Sequence, residues 1–136
     1  MLGASLSRWT MSYFAAALAA LLGAEVLMAA GVGFPSQPVA APQTLVLVHL
    51  VAIGWLSLLM SGALIQFVPV IVAKPLAHPE LPVVALALLL AGLGSLLLGF
   101  LGLAGLAPGT MPWLPLGAIC LSGGFALNLW NLGRTL

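Results

Sequence analysis

The sequence predicts an all-α integral membrane protein, a four-helix bundle that crosses the bilayer up-down-up-down. Hydrophobic residues make up 63% of the chain and charged residues only 4%, whereas a soluble domain has roughly a quarter of its residues charged. The mean hydropathy is +1.29. Four apolar stretches are separated by proline-rich breaks, and each reaches the ~20 residues that a helix needs to cross the hydrocarbon core.

The four stretches are predicted to be helices because backbone groups in hydrocarbon must satisfy their own hydrogen bonds. Their predicted bounds are 11–33, 44–71, 81–104 and 113–132. The breaks read FPSQPVAAPQ, AKPLAHPE and APGTMPWLP, and proline favours a turn because it lacks an amide hydrogen and restricts the residue before it. Because these turns are short, we expect residues 1–136 to form a single domain.

Three cations predict the orientation. Arg8 precedes the first stretch, Lys74 lies between the second and third, and Arg134 follows the fourth. In an up-down bundle all three fall on one side, and the positive-inside rule places that side and both termini in the cytoplasm. We therefore expect a multi-pass protein of the cytoplasmic (inner) membrane. A cleaved signal peptide fits less well, because its apolar region is usually only about 7–15 residues long and here it would contain Glu25.

Several classes of site are excluded by what the sequence lacks. The single cysteine, Cys120, cannot form an intrachain disulfide. No CxxCH, CxxC, HExxH or glycine-rich phosphate loop occurs, which excludes standard c-type haem attachment and the corresponding metal and nucleotide motifs. The net charge of +1 gives no indication of a nucleic-acid partner.

The second stretch carries a histidine, His49, near its outer end. Ionisable groups inside a membrane are costly and are usually functional. Counting by threes and fours along a helix gives an apolar wall below the imidazole that suits a flat apolar cofactor held by one nitrogen. The candidate cofactor-binding residues are His49, Ala52, Ile53, Trp55, Leu56 and Met60, and the wall continues through Ala63 and Phe67. The alternative, a histidine that only bonds a neighbouring helix, remains open at this point.

Glu25 in the first stretch is expected at nearly the same depth as His49, within roughly one helical turn. If the two face each other, the carboxylate can accept the hydrogen of the imidazole nitrogen that is not used for a metal, which fixes the tautomer. Glu25 could instead be a protonated acid bonded to a backbone carbonyl, or a proton relay. The other histidine, His78, lies in the KPLAHPE turn on the opposite side and is expected to be solvated.

The second stretch resembles a known helix. HLVAIGWLSLLMSGALIQFVPVI resembles the second transmembrane helix of the haem–copper oxidase superfamily, in particular the cbb-type oxidase and nitric oxide reductase branch. That helix has a histidine near the outer side, an aromatic-rich run, a Gly-Ala step and a proline; the corresponding residues are His49, Trp55, Gly62, Ala63 and Pro69. The fourth stretch, with Asn131 and Thr135 near its end, is similar to the last helix of cbb-type catalytic subunits.

The resemblance implies that His49 is an axial ligand of a low-spin haem b. The family's catalytic subunit has three arcs of four helices and several further histidines, whereas this chain has one arc, so a complete oxidase is not expected. A haem would need an oligomer to bury it. A two-fold dimer would place two His49 side chains on one haem. A homotrimer, which the family likeness slightly favours, would give each site one His49 and a second ligand such as Met60 or Gln66.

The expected function is therefore that of a haem-b-binding membrane protein in electron transfer or in haem sensing or storage, working with a redox partner. The alternative is a cofactor-free membrane interaction or assembly subunit. A small transporter is a weaker third reading, because Glu25 is the only acidic residue within the four stretches. Ala91, Ser95 and Gly99 form a stripe of small residues that would allow close helix packing, either within one chain or between chains.

Overall fold

The computed structural model describes residues 7–107 and 112–136, in which helices are joined by loops and no β-strand occurs. The helices are α1 (Arg8–Ala29), α2 (Pro42–His49), α3 (Leu58–Ile71), α4 (Leu81–Leu103) and α5 (Trp113–Thr135). A π-helix of eight residues, Leu50–Ser57, joins α2 to α3 and is called the π segment below. Together α2, the π segment and α3 form one continuous helix of 30 residues.

Four helices are long and apolar enough to cross a membrane: α1, the continuous helix Pro42–Ile71, α4 and α5. This confirms the prediction of an all-α membrane protein with four candidate spans. The first helix differs most from its predicted bounds, because it begins at Arg8 and ends at Ala29. The Ser7 side chain accepts a hydrogen bond from the Thr10 amide and so caps a polar first turn. In the third break, residues 108–111 lie outside the described ranges.

Where neighbouring helices touch, residue numbers increase along one helix and decrease along the other. Along α1, Tyr13 lies against Gly62 of α3 and Ala20 lies against Gly54 of the π segment. Along α4 and α5, the glycine–leucine contacts are Gly92 with Leu121 and Gly99 with Leu114. These helices are therefore antiparallel where they touch. The buried cluster at their centre consists of Tyr13, Ala17, Leu58, Ile65, Leu86, Leu89 and Leu121.

The closest helix pair is α4 with α5, and glycine makes the approach possible. A Cβ atom added at Gly124 would lie 3.0 Å from the Ala85 carbonyl oxygen, and one added at Gly117 would lie 3.0 Å from the Gly92 carbonyl oxygen. Small residues allow helix backbones in membranes to pack this closely. The sequence left open whether the stripe of small residues packs within one chain or between chains. Ser95 and Gly99 are buried within the chain, whereas Ala91 is exposed.

One end of the bundle collects the cations and is called the cationic end. The Tyr13 hydroxyl donates to the carbonyl oxygen of Pro82 at 3.1 Å and accepts from Asn128 Nδ2 at 3.1 Å. The start of α1, the start of α4 and the last turns of α5 therefore meet there. Arg8, Lys74 and Arg134 are all exposed and belong to these segments or to the adjoining α3–α4 loop. His49 lies toward the opposite end, beside Phe100 of α4.

Candidate functional site

The backbone leaves α-helical geometry immediately after His49. His49 is the last residue of α2, and the π segment begins at the next residue. π-helical turns are rare, occur mostly as single turns and are frequent at functional sites. Inside the segment, the Ser57 hydroxyl donates to the Ala52 carbonyl oxygen, five residues earlier, at 2.8 Å. The candidate ligand is thus positioned by an unusual piece of helix.

The imidazole of His49 has one nitrogen engaged and one available. Nδ1 lies 2.7 Å from the carbonyl oxygen of Leu45. A carbonyl oxygen can only accept, so Nδ1 carries the hydrogen and Nε2 of the neutral ring keeps its lone pair. The ring is half-buried and packs on Phe100, with the ring centroids 4.8 Å apart and the planes tilted by 44°. Metal-binding histidines are commonly oriented by such a carbonyl, so Nε2 is the atom that His49 can offer to a ligand.

Glu25 lies on the exposed surface of α1. Within residues 7–107 and 112–136 it forms no hydrogen bond or ion pair with His49, whose Nδ1 is bonded to Leu45. In this chain the backbone carbonyl of Leu45 therefore orients the imidazole, the role that the sequence suggested for Glu25. A contribution of Glu25 to the site stays a prediction.

The residues of the expected apolar wall do not share one face. A π turn holds more residues than an α turn. Each extra residue shifts the residues after it by about 100° around the helix axis from the positions that α-helical periodicity predicts. Ile53 and Trp55 pack against the buried cluster. Ala52, Leu56 and Met60 are exposed. The candidate lining is thus divided between the core of the bundle and its outer surface.

An apolar groove of about 450 Å³ opens between the end of α1, the α1–α2 loop and the helix that contains the π segment. Met28 and Phe34 form one side of it, and Val48, Ala52 and Leu56 form the other. His49 is not among its lining residues. The groove and the imidazole are therefore separate features of one chain, although Ala52 and Leu56, which line the groove, were expected beside the imidazole.

The second histidine has a different environment. His78 lies in the α3–α4 loop, where its ring stacks on Trp130 with centroids 4.9 Å apart, and its Nδ1 lies 3.4 Å from Glu80 Oε1. It belongs to the cationic end, away from His49. Within the described ranges, no three side chains of the types His, Cys, Asp and Glu come together. A protein metal site built on several side chains of one chain is therefore not seen there.

The two suggested second ligands are also far from the imidazole along the helix. Met60 is exposed on α3. Gln66 lies toward the cationic end, where its Oε1 accepts from the Ser7 amide at 3.2 Å and from the Thr10 hydroxyl at 3.3 Å. Gln66 is thus engaged in joining α3 to the start of α1.

Sequence reasoning missed one polar residue in the spans. Tyr13 is fully buried and bonds both α4 and α5 through its hydroxyl. It is the only tyrosine of the chain, and a lone hydroxyl in an apolar stretch was the signal that could have identified it.

A scan against protein-family models found no match, and neither a search of curated proteins nor a search of solved structures matched the chain. The likeness to the haem–copper superfamily consequently rests on the residues of two helices.

Proposed function

We propose that the chain is a haem-b-binding membrane protein in which His49 supplies an axial ligand through Nε2. The observation that carries this proposal is the 2.7 Å contact between Nδ1 and the Leu45 carbonyl oxygen. That bond holds the ring in the tautomer whose other nitrogen can bind iron. The π segment at the same point and the resemblance of this helix to the superfamily's helix II add support. Bound haem would supply one-electron redox chemistry.

The donor chemistry fits haem, but one chain does not make a complete site. An imidazole nitrogen suits iron, and His49 is the only histidine within the candidate spans. The apolar groove that could take part of a macrocycle does not include His49. The proposed haem-binding unit is therefore an oligomer, in which a second chain covers the half-buried imidazole.

Two symmetric arrangements follow from one ligand per chain. In a two-fold dimer, two His49 side chains, one from each chain, would hold one haem. In a three-fold ring, which the likeness slightly favours, each site receives one His49, and Met60 is the remaining candidate for the second ligand because Gln66 is engaged elsewhere. The haem-to-chain ratio distinguishes them.

The proposed activity is electron transfer or haem sensing or storage, with a redox partner in the first case. Oxygen reduction by the superfamily's chemistry needs further histidines for copper and a second haem, and the two histidines of this chain lie toward opposite ends of the bundle. The role of the chain's own residues is to hold an imidazole at a fixed tautomer and to surround it with apolar side chains that exclude water.

The membrane orientation is part of the proposal. The cationic end collects Arg8, Lys74 and Arg134, so the positive-inside rule supports an up-down-up-down bundle with both termini in the cytoplasm. We expect a reporter fused at residue 38 to read as external and one fused at residue 76 as internal. An external reading at residue 76 would overturn the orientation and the likeness that depends on it.

The haem proposal is tested by the visible spectrum of the protein expressed with added haem and purified in detergent. We expect a Soret band, with sharp bands on reduction if both axial positions are filled. His49→Ala should lose the haem yet still insert, because apolar stretches drive insertion. His78→Ala is the matched control and should keep the spectrum. A colourless wild-type protein, or an unchanged spectrum in His49→Ala, contradicts the proposal.

A cofactor-free interaction or assembly subunit is the second candidate, and Glu25 favours it. Glu25 is exposed on a candidate span and has no partner within residues 7–107 and 112–136. A carboxylate facing lipid is costly, so a polar group on another membrane protein would stabilise it. This reading predicts a colourless protein whose association with a membrane partner is lost in Glu25→Leu and is kept in Glu80→Leu.

A further inference from the structure

A second cavity, of about 240 Å³, lies at the cationic end between the start of α1, the end of α3 and the α3–α4 loop. Its lining has two parts. One part is apolar and includes Ile65, Pro69 and Leu76. The other part is polar and includes Trp9 and Gln66. The cavity is separate from His49, which lies toward the other end.

The polar part of the lining offers hydrogen-bond donors. The Gln66 Oε1 already accepts from the Ser7 amide and from the Thr10 hydroxyl. The remaining capacity of this side chain is its NH₂ group, which has two donors and no partner among the residues that the structure describes. The indole of Trp9 is a donor only. No carboxylate lines the cavity, so its free polar groups fit a ligand rich in acceptor oxygens.

Two cations belong to the segments that form the cavity. The guanidinium of Arg8 stands 4.4 Å from the centroid of the Trp9 ring. Lys74 is exposed in the loop between the lining residues Pro69 and Leu76, and its Nζ donates to the Leu136 carbonyl oxygen at 3.0 Å. The nearby acid, Glu80, is placed beside His78 at 3.4 Å. The charge around the cavity therefore favours an anion.

The position of the cavity indicates which anion it receives. Tryptophan together with cations at helix ends is typical of the membrane–water boundary. Val70, which lines the cavity, and Phe67, one turn earlier on α3, are 59% and 60% exposed and give acyl chains an apolar path away from it. Basic groups next to membrane spans recognise acidic lipids.

We propose that this cavity binds the phosphate of an acidic phospholipid headgroup. The Gln66 NH₂ group and the Trp9 indole donate to phosphate oxygens, Arg8 supplies positive charge, and the acyl chains run along Val70 and Phe67. The inference does not depend on haem binding at His49, so the two can fail separately.

The test is native mass spectrometry of the full chain, titrated in detergent with phosphatidylglycerol, with phosphatidylcholine of the same acyl chains, and with inorganic phosphate. We expect phosphatidylglycerol to bind about tenfold more tightly than phosphatidylcholine, the scale of one charge-assisted hydrogen bond. Inorganic phosphate should bind more weakly than either, because it lacks acyl chains. Equal affinity for the two lipids would overturn the proposal, and inorganic phosphate that displaces phosphatidylglycerol with equal affinity would assign the site to a free anion.

Two variants address the donors directly. Gln66→Glu keeps an acceptor for Ser7 and Thr10 but replaces the NH₂ group with an anion, and Trp9→Phe keeps a ring beside Arg8 but removes the N–H. Both should bind phosphatidylglycerol more weakly, because a donor to its phosphate is lost. Gln66→Glu should also lose the preference over phosphatidylcholine, because its charge repels the anionic lipid.

Each variant has a matched control. Gln43→Glu places the same change at the start of α2, and Trp130→Phe removes an indole that stacks on His78 instead. Both controls should keep the wild-type affinity and preference. Unchanged affinity for phosphatidylglycerol in folded Trp9→Phe and Gln66→Glu variants, or its loss in either control, would show that this cavity is not the site.

Discussion

The two ends of the bundle use polar side chains in different ways. At the cationic end they bond to one another and to loop backbone: Asn131 accepts from the His78 amide and donates to the His78 carbonyl, both at 2.9 Å, and the Thr135 hydroxyl accepts from the Ala77 amide at 3.1 Å. At the other end, the Thr44 hydroxyl likewise donates to a loop carbonyl, that of Pro38, at 2.8 Å, but His49 bonds to a carbonyl of its own helix and keeps Nε2 available. A polar residue in a membrane span is therefore informative about function only after its hydrogen bonds are counted.

The largest expected loss of stability comes from breaking the hydrogen-bond network at the cationic end. Asn131 is only 2% exposed. Asn131→Leu would leave the His78 amide without a partner and would leave the His78 carbonyl with the bond from the Leu81 amide at 3.2 Å. We expect a loss of about 2–4 kcal/mol in the free energy of unfolding, since an unpaired group costs about 1–3 kcal/mol and a lost hydrogen bond about 1 kcal/mol. Reversible unfolding in mixed micelles measures it. The comparison variant at the other end is His49→Gln, which should lower the free energy of unfolding by less than about 1 kcal/mol. Equal losses in the two variants would contradict the difference described between the two ends.

The next effect concerns the α4–α5 contact that connects the two ends. A Cβ atom at Gly92 would lie 2.8 Å from the backbone nitrogen of Leu121, whereas one at Gly94 would have nothing within 4 Å. Gly92→Ala should therefore destabilise the protein by about 1–3 kcal/mol through overpacking. Gly94→Ala should be neutral or stabilise it by up to about 1 kcal/mol, because alanine favours helix. Equal effects in the same unfolding assay would contradict the packing described for this pair.

A smaller effect is expected at Tyr13. Tyr13→Phe removes the hydroxyl that bonds Pro82 and Asn128, and hydrogen bonds between membrane helices are worth about 0.6 kcal/mol on average. We expect a loss of about 1 kcal/mol. In a double-mutant cycle with Asn128→Leu, the two losses should not add, because both variants break the same interaction. Simple additivity would show that the Tyr13–Asn128 contact contributes nothing.

The smallest loss of stability is expected at Glu25. Glu25→Gln should not lower the free energy of unfolding, because it removes a carboxylate that is exposed on a candidate span, where charge is costly. The haem affinity of the Glu25→Gln variant is the more useful measurement. Loss of a group that orients a metal ligand typically costs about 10–100-fold, and we expect that loss if an oligomer brings Glu25 to His49. Unchanged affinity would leave the Leu45 carbonyl as the orienting group.

The helices could be predicted because lipid allows few alternatives to them, and the four candidate spans confirm that reasoning. The π segment could not, because LVAIGWLS contains nothing that separates π from α geometry. Contacts such as that of Gly54 with Ala20 and Leu93 accompany it, and these depend on partners distant in sequence. The wall below His49 was derived from α-helical periodicity, so it stays a prediction along the segment where that periodicity ends.

The π segment also determines how this helix would respond to a change in length. Its two sides are fixed separately, by the contact of His49 with Phe100 and by the contact of Gly62 with Tyr13. Removing one residue within Leu50–Ser57 would let the segment close to α-helical geometry and would keep His49 nearly in phase with α3, because a π turn is an α turn that has taken up an extra residue. Homologues that are one residue shorter here would thus keep the imidazole among the same neighbours, so an alignment gap in this segment would mark an α-helical version of the same arrangement.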